Sequence, residues 1–155
     1  MSAHSAGVLL YRLTPEVEVM LVHPGGPYWR RQDRGAWQIS KGLVGAGEAP
    51  EAAARREVEE EIGLRLAGEL LPLGEIRQGG GKLVTAFAAE QDFDPAGLVS
   101  NSFELEWPPR SGKTVAFPEI DAARWMKIGE ARDAMLGSQL PLLDRLLDAL
   151  RHANR

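Results

Sequence analysis

Apolar residues fall in short runs over the first part of the chain. "AGVLLYRL" (residues 6–13) and "VEVMLVH" (residues 17–23) are rich in aliphatic side chains, with "TPE" between them. Two such runs flanking a short turn predict a β-hairpin. "PGGPYWRRQDRGA" (residues 24–36) has the glycine and proline content of a loop, and "WQISK" (residues 37–41) predicts a short strand. A helix is predicted over residues 50–62. Pro50 suits its first turn, and Gly63 suits the left-handed position just past its end. "LLPLGEIRQ" and "KLVTAFAAEQDF" predict two strands parted by Gly79, Gly80 and Gly81. "FELEWPP" (residues 103–109) alternates like a strand until Pro108 and Pro109 stop it. "RSGKTVAFPEI" (residues 110–120) predicts a polar connection, partly extended. "IGEARDAML" and "QLPLLDRLLDALRH" predict helices, the second with Leu143, Leu146, Leu147 and Leu150 as its apolar stripe. This mixture predicts an α/β (α+β) fold on a mixed sheet.

With 155 residues, the chain is expected to form one domain over residues 1–155, large enough for a real core. The net charge of −4, from 18 basic and 22 acidic residues, argues against nucleic acid or an anionic membrane as a broad electrostatic partner. There is no cysteine, which excludes disulfides and thiolate chemistry. His4, His23 and His152 lack the spacing of zinc ligands. No apolar run has the length of a membrane span and the first residues do not resemble a signal peptide, so a cytoplasmic location is expected.

The predicted helix ends in "REVEEEIG", which puts Glu57, Glu59, Glu60 and Glu61 in or near its last turn. At about 100° per residue from Ala54, Val58 and Ile62 fall near 40° and 80° and form the apolar stripe. Glu61, Glu57 and Glu60 fall near −20°, −60° and −120°, roughly on one face beside that stripe, while Glu59 points away. Carboxylates at this end oppose the helix dipole at a cost of roughly 0.3–1 kcal/mol each, and repel one another at i,i+3 and i,i+4. Arg55 and Arg56 offset only part of this. A solvated acidic face is one account of the run. A site for a hard divalent cation, which favours carboxylate and carbonyl oxygens, is the other.

The stretch from Gly42 to Leu64 reads Gly42, five residues, Glu48, seven residues, then Arg56-Glu57-Val58-Glu59-Glu60-Glu61-Ile62-Gly63-Leu64. It resembles the Nudix box, G-x5-E-x7-R-E-U-x-E-E-x-G-U with U aliphatic, at every specified position. The resemblance implies a Nudix hydrolase: an α/β/α sandwich around a mixed β-sheet, with the box as loop–helix–loop. It implies hydrolysis of a phosphoanhydride bond in a nucleoside diphosphate linked to another moiety, with Mg²⁺ or Mn²⁺ as cofactor. It casts Glu57, Glu60 and Glu61 as metal-binding carboxylates, with Gly42 offering its carbonyl. Glu48 and Arg56 become a supporting pair. The general base is expected from Glu60 or Glu61, or from Glu119 outside the box, with Glu104 and Glu106 behind it.

The run "WQISKG" resembles the W-x-x-P-K-G of diadenosine-polyphosphate and diphosphoinositol hydrolases and the W-Q-x-P-x-G of RNA 5′-pyrophosphohydrolases, with Ser40 in place of proline. Lys41 is the expected phosphate contact within it. Arg31 and Arg34, near Tyr28 and Trp29, and Arg110 and Lys113, on the "EWPPRSGKT" loop, are further candidates for substrate binding. A nucleotide-type diphosphate is therefore the expected partner. A non-catalytic nucleotide-sensing module and an RNA 5′-pyrophosphohydrolase are the alternatives, and a homodimer is open.

Overall fold

A computed structural model describes residues 4–153. Its strands are β1 (His4–Leu13), β2 (Val17–Pro24), β3 (Ser40–Leu43), β4 (Leu71–Gln78), β5 (Lys82–Glu90), β6 (Ser102–Glu106), β7 (Thr114–Pro118) and β8 (Ile120–Lys127). Its helices are α1 (Pro50–Ile62), α2 (Ile128–Ala134) and α3 (Pro141–Ala153). The main sheet runs β4-β5-β1-β2-β8, with β3 also paired to β1. The β1–β5 pair is parallel and the others are antiparallel, so the sheet is mixed as expected.

Strand β1 lies inside the sheet and is buried on both faces, which is why its sequence reads as one apolar run. Ala6, Val8 and Leu10 pack with Ala54, Val58 and Ile62 of α1. Leu9 and Tyr11 face the other way, into a core with Leu142, Leu143 and Leu146 of α3. Helix layers on both sides of the sheet give the α/β/α sandwich. Of the predicted leucine stripe, Leu143 and Leu146 are fully buried, while Leu147 and Leu150 are half-buried. Arg145 ties α3 to β4 by donating to the Leu73 and Glu75 carbonyls (3.0 and 2.9 Å).

Three segments depart from the sequence reading. β3 begins at Ser40 rather than Trp37, because Trp37 and Gln38 make single bridges to Met135 and Val22 instead of a ladder on β1. The polar connection contains β7, which pairs with β6 as a separate two-stranded sheet. β8 was not predicted at all. Its alanines and charged residues show no clean alternation, and its partner β2 is far away in sequence. Among the described residues, no helix is long and apolar enough to cross a membrane.

Leu146 has no exposed surface. Leu146→Ala is expected to cost about 2–5 kcal/mol. Denaturant unfolding should show a lower midpoint at an unchanged slope.

Candidate metal and phosphate site

Helix α1 covers the end of the sheet where β3 joins β1. Ser40 pairs with Val8 and Gly42 with Ala6, and both partners face α1. Directly opposed residues of an antiparallel pair share a face, so Ser40 and Gly42 also face α1. Two residues along a strand cover nearly the same length as one helical turn. Gly42 and Ser40 thus stand opposite Glu57 and Glu61. A Cβ on Gly42 would lie 1.9 Å from Glu57 Oε2, so only glycine leaves the room that this carboxylate occupies. At the end of the helix, Gly63 adopts φ 77° and its N–H donates to the Glu59 carbonyl.

The Arg56 guanidinium gathers the acids around one positive charge. It donates to both oxygens of Glu48 (2.9 Å each), to Glu57 Oε1 (2.9 Å), to Glu60 Oε2 (3.1 Å) and to the Leu43 carbonyl (3.0 Å). Glu48 also accepts from the Gly45 N–H (2.9 Å). These bonds, Arg56 first, hold the Glu48 carboxyl down at about 2. The predicted supporting pair is therefore formed, and it extends to two of the predicted metal carboxylates.

Arg56 Nη1 brings the Glu57 and Glu60 carboxylates together, and Glu61 lines the neighbouring cleft. Glu57 and Glu61 turn toward β3, whereas Glu60 is exposed and paired with Arg56. Among the described residues, no three acids or histidines stand close enough to hold an ion between them. Glu59 is exposed, as the helical angles predict.

Glu61 and Lys41 line a cleft of about 100 Å³ with Val22, Pro24, Gln38, Ile39 and Ile120. Burial pushes the Glu61 carboxyl up to about 8; Lys41 and the Ser40 hydroxyl oppose that rise, while Glu119 and Glu57 add to it. Burial likewise lowers the Lys41 ammonium from its usual range, with Glu61 and Glu57 pulling the other way. Glu119 was the outside candidate for a base, and the structure brings it near Glu61. Its N–H donates to the Asn101 carbonyl (2.8 Å), and the Asn101 side chain donates to the Glu60 carbonyl (3.2 Å). Asn101 was missed by the sequence reading. Its role depends on a contact 41 residues away, which no local pattern encodes.

The remaining candidates lie elsewhere. Arg34 pairs with Asp133 of α2 at 3.6 Å, and Arg31 is exposed on the loop. Arg110, at φ 62°, and Lys113 are exposed at the tip of the β6–β7 hairpin. None of the four lines the cleft. Glu106 caps that tip by accepting from the Arg110 N–H (2.8 Å), and Glu104 is exposed. The loop and hairpin do touch, through Tyr28 and Trp107 with ring centres 5.5 Å apart. His23 anchors the loop to β8, bridging Asp121 Oδ1 (2.8 Å) and the Gln32 carbonyl (2.6 Å).

The donor set suits a hard cation. It offers carboxylate oxygens from Glu57, Glu60 and Glu61, no sulfur, and a strand glycine whose missing side chain leaves space beside Glu57. A carboxyl that ionises at about 8 when folded and at 4.5 ordinarily makes the folded state the tighter proton binder between those values. The stability it contributes is therefore full below about pH 4.5 and lost as pH rises through about 8. In cation-free buffer, stability measured by chemical unfolding should decline across that window, and Glu61→Gln should flatten the decline.

Residues 1–146 match the NUDIX domain family. The chain is 34% identical over 122 residues to an octanoyltransferase of Myxococcus xanthus, covering 78% of this chain and 29% of that protein. It is 49% identical over 74 residues to an RNA pyrophosphohydrolase of Rhodospirillum rubrum, covering 46% of this chain and 42% of that protein. It thus spans less than half the length of these curated relatives. A C. elegans Ap4A hydrolase in a binary complex shares the fold at a TM-score of 0.65 and 20% identity, over 97% of this chain and 98% of that one. The box, the sandwich around the mixed sheet and the family match together place this chain in the NUDIX family.

Proposed function

We propose that this protein hydrolyses a phosphoanhydride bond in a nucleoside diphosphate linked to another moiety, using Mg²⁺ or Mn²⁺. The observation that carries this reading is the meeting of strand and helix in one cleft. Gly42 faces Glu57, while Lys41 and Glu61 share the wall, with Glu119 nearby. The cation would be held by Glu57, Glu60 and Glu61 once their side chains turn toward it, with the Gly42 carbonyl available beside them. When bound, it supplies charge neutralisation and Lewis acidity toward the diphosphate.

The chain's own residues then divide the remaining work. Lys41 meets a phosphate oxygen as a point charge. Arg56 and Glu48 keep Glu57 and Glu60 at fixed positions. Glu61 and Glu119 are the acids at the cleft that can accept the proton of an attacking water. The apolar walls formed by Val22, Ile39 and Ile120 limit water to that side.

The similarity to RNA pyrophosphohydrolases supports a second substrate class, the 5′-triphosphate end of RNA. The net charge of −4 favours small nucleotides and dinucleotides over it.

A panel of nucleoside triphosphates, dinucleoside polyphosphates, nucleotide sugars and 5′-triphosphorylated RNA, assayed for phosphate or pyrophosphate release, tests the proposal. Turnover requiring Mg²⁺ or Mn²⁺ is expected. Glu61→Gln should lower kcat by at least about 10²-fold, the usual scale of a lost acid–base group. Near-wild-type turnover by a folded Glu61→Gln protein would contradict the assignment.

A further inference from the structure

Ser40 is a buried serine in the wall of the candidate site, where its side chain has no evident structural task. The residue is 5% exposed, and its hydroxyl makes no hydrogen bond of standard geometry, although it lies near enough to the Glu61 carboxyl to favour its ionised form. An unpaired buried hydroxyl is costly, and an alanine of nearly the same volume would avoid that cost. Ser40 therefore offers a polar group that the fold leaves unused.

The strand register shows where that group points. Ser40 shares the α1-facing side of β3 with Gly42. Gly42 meets Glu57 directly, and Glu61 lies one turn further along the helix. Ser40 lies two residues back along the strand, so it is level with Glu61. Lys41, between them in sequence, lines the same cleft as Glu61.

We propose that Ser40 is a positioning residue whose hydroxyl donates to the Glu61 carboxylate and fixes the direction that Glu61 presents to the cleft. This rests on the cation-dependent hydrolase reading for its consequence, though not for its geometry. Ser40 donates one hydrogen bond to one oxygen of the ionised carboxylate, which leaves the other oxygen free for the cleft. A charged acceptor makes this a strong bond. Proline in the same place could not make it. The serine hydroxyl thus has a task in the site.

The test measures Mn²⁺ binding by electron paramagnetic resonance and, separately, kcat and KM on the best substrate of the panel. Ser40→Ala and the near-isosteric Ser40→Cys are expected to weaken Mn²⁺ binding about tenfold, the scale of one hydrogen bond to a charged group. Both should lower kcat with KM unchanged. Ser40→Thr, which keeps the hydroxyl, should retain wild-type binding. In a Glu61→Ala background, Ser40→Ala should cause no further loss, because the acceptor has been removed. Wild-type Mn²⁺ affinity in folded Ser40→Ala or Ser40→Cys would overturn the proposal. So would an equal loss from Ser40→Ala with and without Glu61. If no substrate is turned over by the wild type, the hydrolase reading fails, while the Mn²⁺ measurements still decide the role of Ser40.

Discussion

The Arg56 guanidinium is the contact on which the arrangement of acids depends. Its hydrogen bonds reach Glu48, Glu57, Glu60 and the Leu43 carbonyl, joining the loop before α1 to the helix itself. A single half-exposed ion pair contributes little to stability. A planar fork that satisfies several oxygens at once instead imposes geometry. Glu57 is held against Gly42 and Glu60 is held outward, and the box keeps its shape despite its crowded charge.

That crowding is unfavourable by every local criterion. The acids lie at the negative end of the helix dipole, no basic residue sits in the last turn, and Glu61 is buried enough to resist ionisation. Burial next to Lys41 is a partial answer, since each group offsets some of the other's desolvation. A divalent cation is the fuller one, because it converts mutual repulsion into shared ligation. The acids that crowd the helix end are the ones that would favour a hard ion on the proposed reading.

Much of this was legible in the sequence because it is local. The box, the helix from residue 50 to 62 and its glycine stop occupy one continuous stretch, and the fold keeps them as read. The early strands were legible for the same reason, being central and apolar on both faces. The edge of the sheet was not. β8 is half polar, and it is a strand only because β2 lies beside it. Arg31, Arg34, Arg110 and Lys113 were picked for their charge in loops, and charge does not reveal which way a loop folds. Glu119 was picked from sequence position, but its place near Glu61 depends on Asn101 and on the turn into β8. The helical angles rightly separated Glu59 from the other acids. They contained no Arg56 side chain, whose Nη1 bonds both Glu57 and Glu60.

The account stands on α1 being completed by a divalent cation, and thermal unfolding against Mg²⁺ concentration tests this most directly. A ligand that binds only the folded state stabilises it by about 2.7 kcal/mol at a hundred times its Kd. For a chain of this size that is roughly 5–10 °C in Tm. The wild type should climb steadily with Mg²⁺, while Glu57→Gln should stay nearly flat. A rise of the same size in both proteins, or in neither, would contradict the account.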